Sequence, residues 1–260
     1  MEEKQTKSDQ LLSSVTNALR ILRSFTIEEP ERGIRELAKS LSLSKSSVQR
    51  LMTTLAHEGF VTKDADTQKY RLGVSVLSLG TVVMNHLEIH REALPHLEKL
   101  VEKTEETAHI GILEGTKVVY LHKIETRQPI RIFTEIGKRN PSYCTGCGKA
   151  ILAFQHEQLI EQVIEEGLHP YTSKTITDPH AFKQNLKEIR QNGYAVSVEE
   201  LGEDIISVGA PIRDYMGNVF AGVSLVGPSY RMKQKGIATY AKEVMKVGLE
   251  ISEKLGYRRR

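Results

Sequence analysis

Two short amphipathic segments separated by a polar turn constrain the N-terminal part of this 260-residue chain more than any other feature. In 34–41 (IRELAKSL) and 44–59 (SKSSVQRLMTTLAHEG), apolar residues recur at spacings of three and four, as in helices with one buried face. A similar segment begins at Ser14, a predicted N-cap, as Ser44 is for the third helix. A predicted β-hairpin follows in 60–73. This order of elements predicts a winged helix-turn-helix.

The third helix is predicted to contact DNA because of its charge. No acidic residue occurs from Leu37 to His57, so no carboxylate would repel phosphates along this stretch. Short hydrogen-bonding side chains cluster at the start of this helix, where helix-turn-helix proteins contact bases and phosphates. The predicted DNA-binding residues, the last two of them on the hairpin, are Ser44, Lys45, Ser46, Ser47, Gln49, Arg50, Lys69 and Arg71. The alternative is a three-helix bundle whose basic face is only solvated.

A long helical stretch, 74–104, joins this unit to the rest of the chain and contains Pro95. Because a proline inside a helix removes a backbone donor, we predict a break there. The predicted division is a DNA-binding domain over 11–73, a linker helix over 74–92 and a second domain over 93–258.

The second domain is predicted to mix strands and helices, which makes the fold class α+β. Extended segments rich in β-branched residues predict strands within 106–125, 129–137, 194–200, 205–214 and 218–227. Apolar spacings of three and four predict helices within 147–155, 156–167, 178–192 and 231–255.

Composition excludes several classes of protein. Residues 1–10 lack the apolar core of a signal peptide, and no apolar run approaches the roughly 18 residues of a membrane span. Two cysteines are too few for a disulfide framework. We therefore expect a cytoplasmic protein with no membrane partner. No G-x-S-x-G motif or glycine-rich phosphate loop occurs, so we expect neither an enzyme nor a bound cofactor.

The two cysteines, Cys144 and Cys147, form a C-x-x-C motif within YCTGCGKAILA. Such a pair at a helix N-terminus can be redox-active. It can also ligate a metal, although no second C-x-x-C motif supplies the remaining ligands. The third interpretation is that both are small, semi-apolar residues that fill a wall of the domain.

Segments throughout 11–257 resemble the IclR family of bacterial transcription regulators. The resemblance rests on SVTNALRILRSF, IRELAKSLSLSKSSVQRLMTTLAHEGFV, IGKRNPSYCTGCGKAILA and AGVSLVGP. VVYLHKIE and IRIFTEIGKRNPSYCT are most similar to the KdgR-type regulators. The resemblance implies a GAF-like effector-binding domain with an antiparallel sheet and flanking helices. It also implies operator DNA as a partner, and self-association into dimers and often tetramers.

The resemblance further implies an effector pocket between the sheet and the YCTGCGKAILA turn. Its lining, carried over by position, is Ile132, Asn140, Gly146, Cys147, Ser197, Ile205, Ser207 and Ser224. The implied effector is 2-keto-3-deoxygluconate or a related sugar acid. Its carboxylate would meet free amides in 146–149, and serine hydroxyls would bind its polar groups. The sequence thus predicts a regulator, most simply a repressor, whose ligand changes operator affinity. The alternative is a redox- or metal-responsive regulator that uses Cys144 and Cys147.

Overall fold

The computed structural model describes residues 11–86, 88–128 and 134–258, apart from the side chains of 83–86 and 90. These residues form two compact units, and each is described here by itself. In the described parts of the chain, no helix is both long and apolar enough to pass through a bilayer.

The N-terminal unit ends at His86 and contains three packed helices followed by a two-stranded sheet. Its elements are α1 (Ser13–Arg23), α2 (Ile34–Leu41), α3 (Lys45–His57), β1 (Val61–Lys63), β2 (Tyr70–Leu72) and α4 (Val74–His86). β1 and β2 pair antiparallel. The predicted winged helix-turn-helix is confirmed.

One apolar core holds the three helices together. The core residues without exposed surface are Ile21, Leu37, Val48 and Met52. Ser44 caps α3 as predicted, because its Oγ accepts the Ser47 amide N–H at 3.1 Å. The N-cap predicted at Ser14 is wrong: α1 begins at Ser13 after Leu12, and no side chain caps it.

The break predicted at Pro95 is also wrong. Pro95 lies inside helix α5 (Glu88–Thr104), and the preceding helix α4 ends at His86. An interior proline weakens a helix by about 3 kcal/mol, but packing can offset this. Four side chains of α5 at helical spacing are buried in the C-terminal core: Ile89, Ala93, Leu97 and Leu100. The exact domain bounds proposed above stay a prediction.

The C-terminal unit is built on a six-stranded antiparallel sheet. Its strands are β3 (Thr107–Glu114), β4 (Lys117–Ile124), β5 (Arg139–Pro141), β6 (Ala195–Val198), β7 (Ile205–Arg213) and β8 (Val219–Pro228). They lie in the order β5-β4-β3-β8-β7-β6. The predicted α+β class with an antiparallel sheet is confirmed. The strand predicted in 129–137 falls partly outside the described residues; 134–138 are not a strand, and β5 occupies part of a predicted loop.

The sheet has one aliphatic face and one face of small and polar residues. On β3, Ala108 and Ile110 alternate with His109 and Gly111. β7 and β8 follow the same alternation, with serine and glycine opposite the aliphatic positions. The aliphatic face packs against α5 and the C-terminal helix α10 (Ile237–Lys254). The small face is therefore left for a second layer.

Helix α6 (Gly146–Leu152) covers part of the small face. A Cβ atom on Gly209 would lie 2.4 Å from the Gly146 carbonyl oxygen, and one on Gly111 would lie 2.8 Å from the Cys147 Sγ. These glycines allow the helix to approach the sheet closely. Because α6 covers only part of this face, polar residues of the sheet lie uncovered beyond the N-terminus of the helix.

Three further helices complete the unit: α7 (Glu157–Glu165), α8 (Pro179–Asn192) and α9 (Ser229–Lys235). α8 begins and ends as predicted, with the Asp178 carboxylate accepting the Ala181 N–H at 2.7 Å and Gly193 at a φ of 78°. The single helix predicted over 231–255 is wrong. Gly236, at a φ of 85°, ends α9 and separates it from α10.

Candidate functional site

The exposed face of α3 is polar, as predicted. Ser44, Lys45, Ser46, Ser47, Gln49 and Arg50 are all exposed, and Val48 between them is buried. The Oγ of Ser44 lies 3.0 Å from the Oγ of Ser46 and 2.8 Å from the Oγ of Ser47. These three hydroxyls form a cluster at the helix N-terminus, where a phosphate oxygen or a base edge can approach.

Two predicted hairpin contacts lie in a more acidic setting. Lys69 and Arg71 line a shallow groove together with glutamates of the α1–α2 loop and of α2. Lys69 and Arg32 help to lower the pKa of the Glu36 carboxyl, after the Gly33 amide, which is the main cause. These glutamates therefore partly balance the positive charge of Lys69 and Arg71. Lys45 and Arg50 lie instead on the acid-free face of α3.

The small face of the sheet brings together polar residues that are far apart in sequence. Ser197 on β6 is the cross-strand partner of Ser207 on β7. In a neighbouring row of the sheet, Gly209 on β7 pairs with Ser224 on β8. Ser224 in turn pairs with His109 on β3. This pairing creates a polar floor beside the N-terminus of α6.

A cavity of about 140 Å³ lies over this floor. One buried water needs roughly 10–15 Å³, so the space can hold a small organic molecule. Fifteen described residues line it: His109, Tyr120, Thr134, Glu135, Lys138, Asn140, Cys144, Thr145, Ser197, Leu201, Gly202, Ile205, Ser207, Ser224 and Val226. Seven of them carry a hydroxyl or an amide side chain, and carbon atoms provide most of the surface that faces the cavity.

Five of the eight predicted effector-binding residues line the cavity: Asn140, Ser197, Ile205, Ser207 and Ser224. Gly146 and Cys147 lie next to it and do not form part of the lining. Ile132 lies outside the described residues. That these residues bind a ligand stays a prediction, because the geometry shows only their proximity.

The amides predicted to face a ligand are mostly engaged within the protein. The Gly146 N–H donates to the Ser207 Oγ at 2.8 Å. The Gly148 N–H donates to the Thr145 Oγ1 at 3.1 Å, and the Lys149 N–H donates to the Thr145 carbonyl at 2.9 Å. The expectation of free amides throughout 146–149 is therefore wrong, because an N-cap and a cross-layer serine satisfy them.

The two paired serines have opposite hydrogen-bonding roles, which the backbone fixes. Ser207 accepts from the Gly146 N–H, so its own proton can be donated into the cavity. Ser197 donates to the Cys144 carbonyl at 2.8 Å, so only its lone pairs remain. A molecule on this floor can therefore place an acceptor at Ser207 and a donor at Ser197.

Sequence reasoning left His109 out of the predicted effector-binding residues, although it is 1% exposed at the cavity floor. Its ring stacks on Tyr120 with centroids 4.6 Å apart, and its Nε2 lies 2.5 Å from the Thr134 Oγ1. Burial, followed by the nearby Lys123, lowers the pKa of His109 to about 3. The ring is therefore neutral near pH 7. The signal was available: His109 alternates with Ala108 and Ile110 in an otherwise apolar strand.

Charge is confined to the rim of the cavity among the residues described as lining it. Glu135 and Lys138 form an ion pair of 2.9 Å, and the Lys138 side chain is 55% exposed. Neither residue was among the predicted effector-binding residues. The cavity thus combines one charged edge with an uncharged interior.

A buried ion pair anchors the loop that closes one side of the cavity. The Lys149 Nζ lies 2.6 Å from the Glu200 Oε1, with side-chain exposures of 1% and 7%. Burial raises the pKa of the Glu200 carboxyl. Leu201 and Gly202, which follow directly, line the cavity. Lys149 therefore positions this wall from inside.

Both cysteines are buried and free. Burial raises the pKa of each thiol to about 12, so neither is a thiolate near pH 7. The Cys147 Sγ lies 3.4 Å from the Gly222 carbonyl oxygen. In the described part of the chain, no three His, Cys, Asp or Glu residues are grouped to hold a metal ion. These features favour the wall-filling interpretation of the motif.

Comparisons with known proteins agree in both halves of the chain. Residues 14–65 match the model of the IclR helix-turn-helix domain, and 81–253 match that of the bacterial transcriptional regulator IclR C-terminal region. The HTH-type transcriptional regulator KdgR of Escherichia coli is 32% identical over 96% of this chain and 95% of its own. The HTH-type transcriptional regulator KipR of Bacillus subtilis is 33% identical over 94% of this chain and 97% of its own.

A solved structure shares the fold. The crystal structure of Thermotoga maritima IclR superposes with a TM-score of 0.77 at 33% identity. The match covers 94% of this chain and 99% of that one.

Proposed function

Because the chain belongs to the IclR family of bacterial transcriptional regulators, we propose that its cavity binds 2-keto-3-deoxygluconate or a related sugar acid. Binding changes the affinity of the N-terminal unit for operator DNA, most simply by relieving repression. The resemblance to KdgR-type regulators supports the choice of ligand, and the chain is about as similar to E. coli KdgR as to the other relatives named above.

The observation that carries this proposal is the pair of serines with opposite roles. A 2-keto acid presents acceptors, the carboxylate and the keto oxygen, to the Ser207 hydroxyl. That hydroxyl is polarised by the Gly146 N–H, which strengthens its donation. The hydroxyl on C4, the first one beyond the C3 methylene group, donates to Ser197.

The DNA-binding half of the proposal rests on the acid-free exposed face of α3. Lys45 and Arg50 carry its positive charge, and the hydroxyl cluster of Ser44, Ser46 and Ser47 offers hydrogen bonds. We expect a self-associated protein to bind a palindromic operator, because two-fold symmetry in the protein is matched by the DNA.

The proposal is tested by thermal unfolding with and without 2-keto-3-deoxygluconate, beside pyruvate, glyoxylate and gluconate. At 100 times its Kd, a ligand that binds only the folded state adds about 2.7 kcal/mol, a shift of a few degrees. We expect a selective shift that the Ser207→Ala variant loses. If none of the acids shifts the transition, the cavity does not bind this class of ligand.

The DNA half is tested with duplexes that the wild-type protein selects from a random library. Arg50→Ala is expected to weaken binding to these duplexes and to lower the salt dependence by about one counterion if Arg50 contacts a phosphate. The same variant keeps the thermal shift by the acid. Full operator affinity in Arg50→Ala would contradict the assignment of α3 as the recognition helix.

A further inference from the structure

The imidazole of His109 carries a polar atom that no described residue satisfies. Its Nε2 is held at Thr134, but its buried Nδ1 has no hydrogen-bond partner among the described residues. The residue lines the cavity and is 1% exposed, so bulk water does not compensate. Native proteins rarely leave such a group unpaired, and a bound molecule is one way to satisfy it.

His109 lies at the opposite end of the floor from the serine pair. Ser207 is on β7 and His109 is on β3, with β8 between them. Ser207 also lies two residues along β7 from Gly209, the residue in the same row as His109. Because neighbouring strands are about 4.8 Å apart and two strand residues span roughly 6.8 Å, the two side chains start about 12 Å apart across the sheet. An extended six-carbon acid held at Ser207 can reach His109, whereas a three-carbon acid cannot.

The surroundings of His109 are uncharged on the cavity side. Its ring is neutral near pH 7, and its neighbours there are Tyr120, Thr134 and Ser224. Lys123, which lies nearby, is held by the Thr134 carbonyl at 2.7 Å and by the Glu125 carboxylate. A second anionic group would therefore be desolvated at this end beside a lysine whose charge Glu125 already balances, which is unfavourable.

We propose that His109 determines specificity at the far end of the ligand, where it binds a terminal hydroxyl and excludes a second anionic group. A hydroxyl both donates and accepts, so it can pair with Nδ1 in either tautomer of the neutral ring. The cavity then selects a six-carbon acid with one charged end. This inference rests on the proposed function. It adds the residue that distinguishes ligands by the length of their carbon chain and by their terminal group.

The experiment compares three probes by isothermal titration on the full chain: 2-keto-3-deoxygluconate, its 6-phosphate and pyruvate. In the wild-type protein, we expect the 6-phosphate to bind at least about tenfold more weakly than the unphosphorylated acid, the effect of losing one hydrogen bond. This comparison needs no variant, so it does not depend on whether a substitution at a buried position folds.

Two substitutions of His109 then distinguish a role in ligand binding from a purely structural role in the cavity wall. The amide of His109→Asn stands near the position of Nδ1, whereas that of His109→Gln stands near Nε2. We expect His109→Gln to weaken the six-carbon acid about tenfold and to leave pyruvate unchanged. His109→Asn should retain most of the affinity. His180→Asn, at an exposed position on α8, is the control and should change neither.

The outcomes are distinct. Equal binding of the acid and its 6-phosphate would overturn the inference and leave the proposed function intact. So would an equal loss for pyruvate and the six-carbon acid in His109→Gln, since that pattern indicates a structural role. If wild-type protein binds none of the probes, the proposed function fails and this inference fails with it.

Discussion

Both proposed binding surfaces are built on three serines, and the two sets differ in what they bond. Ser44, Ser46 and Ser47 at the start of α3 are exposed, and their hydroxyls contact one another. In the C-terminal unit, Ser197 and Ser224 are buried and Ser207 is partly buried. Ser197 and Ser207 bond to backbone groups of the loop before α6 and of its first residue.

This difference decides how selective each surface can be. The Ser44 hydroxyl caps α3, but those of Ser46 and Ser47 can rotate, so they can meet phosphates and bases of many sequences. The buried ones are fixed by backbone atoms, so each offers a defined donor or acceptor. A molecule that leaves one of them unpaired is penalised, because a buried polar group without a partner destabilises a complex. The cavity is therefore the part of the protein suited to choosing one small molecule.

The largest expected effect tests the support of the cavity wall. Lys149→Met keeps the volume of the side chain but leaves the Glu200 carboxylate buried without its partner. We expect a loss of about 3–5 kcal/mol in unfolding free energy, measured by denaturant titration. Lys183→Met is the matched control, because Lys183 pairs with Glu157 and Glu161 at the surface. It should give no measurable change. Equal stability of the two variants would contradict the role of the buried pair.

A second prediction concerns the close packing of α6. Gly209→Ala places a methyl group against the backbone of Gly146, which cannot rotate away. We expect a loss of about 1–3 kcal/mol in unfolding free energy. Gly80→Ala in α4 is the comparison, since beyond the backbone of its own helix no described atom lies within 4 Å of its added Cβ. That variant should gain roughly 0.5–1 kcal/mol from helix propensity. Destabilisation by Gly80→Ala instead would show that the helix is covered there.

The third prediction uses pH. His109 is neutral in the folded state down to a pKa of about 3, whereas the unfolded chain binds a proton near pH 6.5. The contribution of His109 to the free energy of unfolding is therefore fully present above pH 6.5, and it falls as the pH is lowered towards 3. The slope is about 1.4 kcal/mol per pH unit. Thermal unfolding of His109→Gln should lack this share of the acid sensitivity. An unchanged slope would mean that the ring titrates normally.

The smallest expected effect concerns the exposed serines. Ser44→Ala removes the acceptor of the Ser47 N–H and should lower stability by about 1 kcal/mol. Ser46→Ala removes a neighbouring hydroxyl that caps no amide in the described helix, so it should be nearly neutral. Thermal unfolding of both variants measures the difference. Equal losses would indicate that the cluster, and not the cap, holds the start of α3.

Local pattern predicted the N-terminal unit better than the C-terminal one. The spacing that buries Val48 and exposes Gln49 and Arg50 is a property of one helix, so the sequence was enough. Errors arose where packing overrode a local rule. Pro95 stays inside α5 because the residues around it are buried, and α1 starts without a side-chain cap.

The candidate cavity shows the opposite case. Five lining residues came from the family resemblance, and His109 was missed although its strand alternates. A histidine between aliphatic residues can face either layer, and only the pairing with Ser224 places it on the floor. The register shift after Ile110 changes the partners further along the same strand. No spacing in the sequence reports that shift.

The sequence by itself determined the helices of the DNA-binding unit, the acid-free face of α3, the α+β class and the family. It did so because helical periodicity, capping and charge act over a few residues. Only the tertiary structure decided which amides are occupied, which way Ser197 and Ser207 bond, and that His109 meets the same cavity. Those facts depend on strands that pair across about a hundred residues, where each partner is set by the packing of the whole sheet.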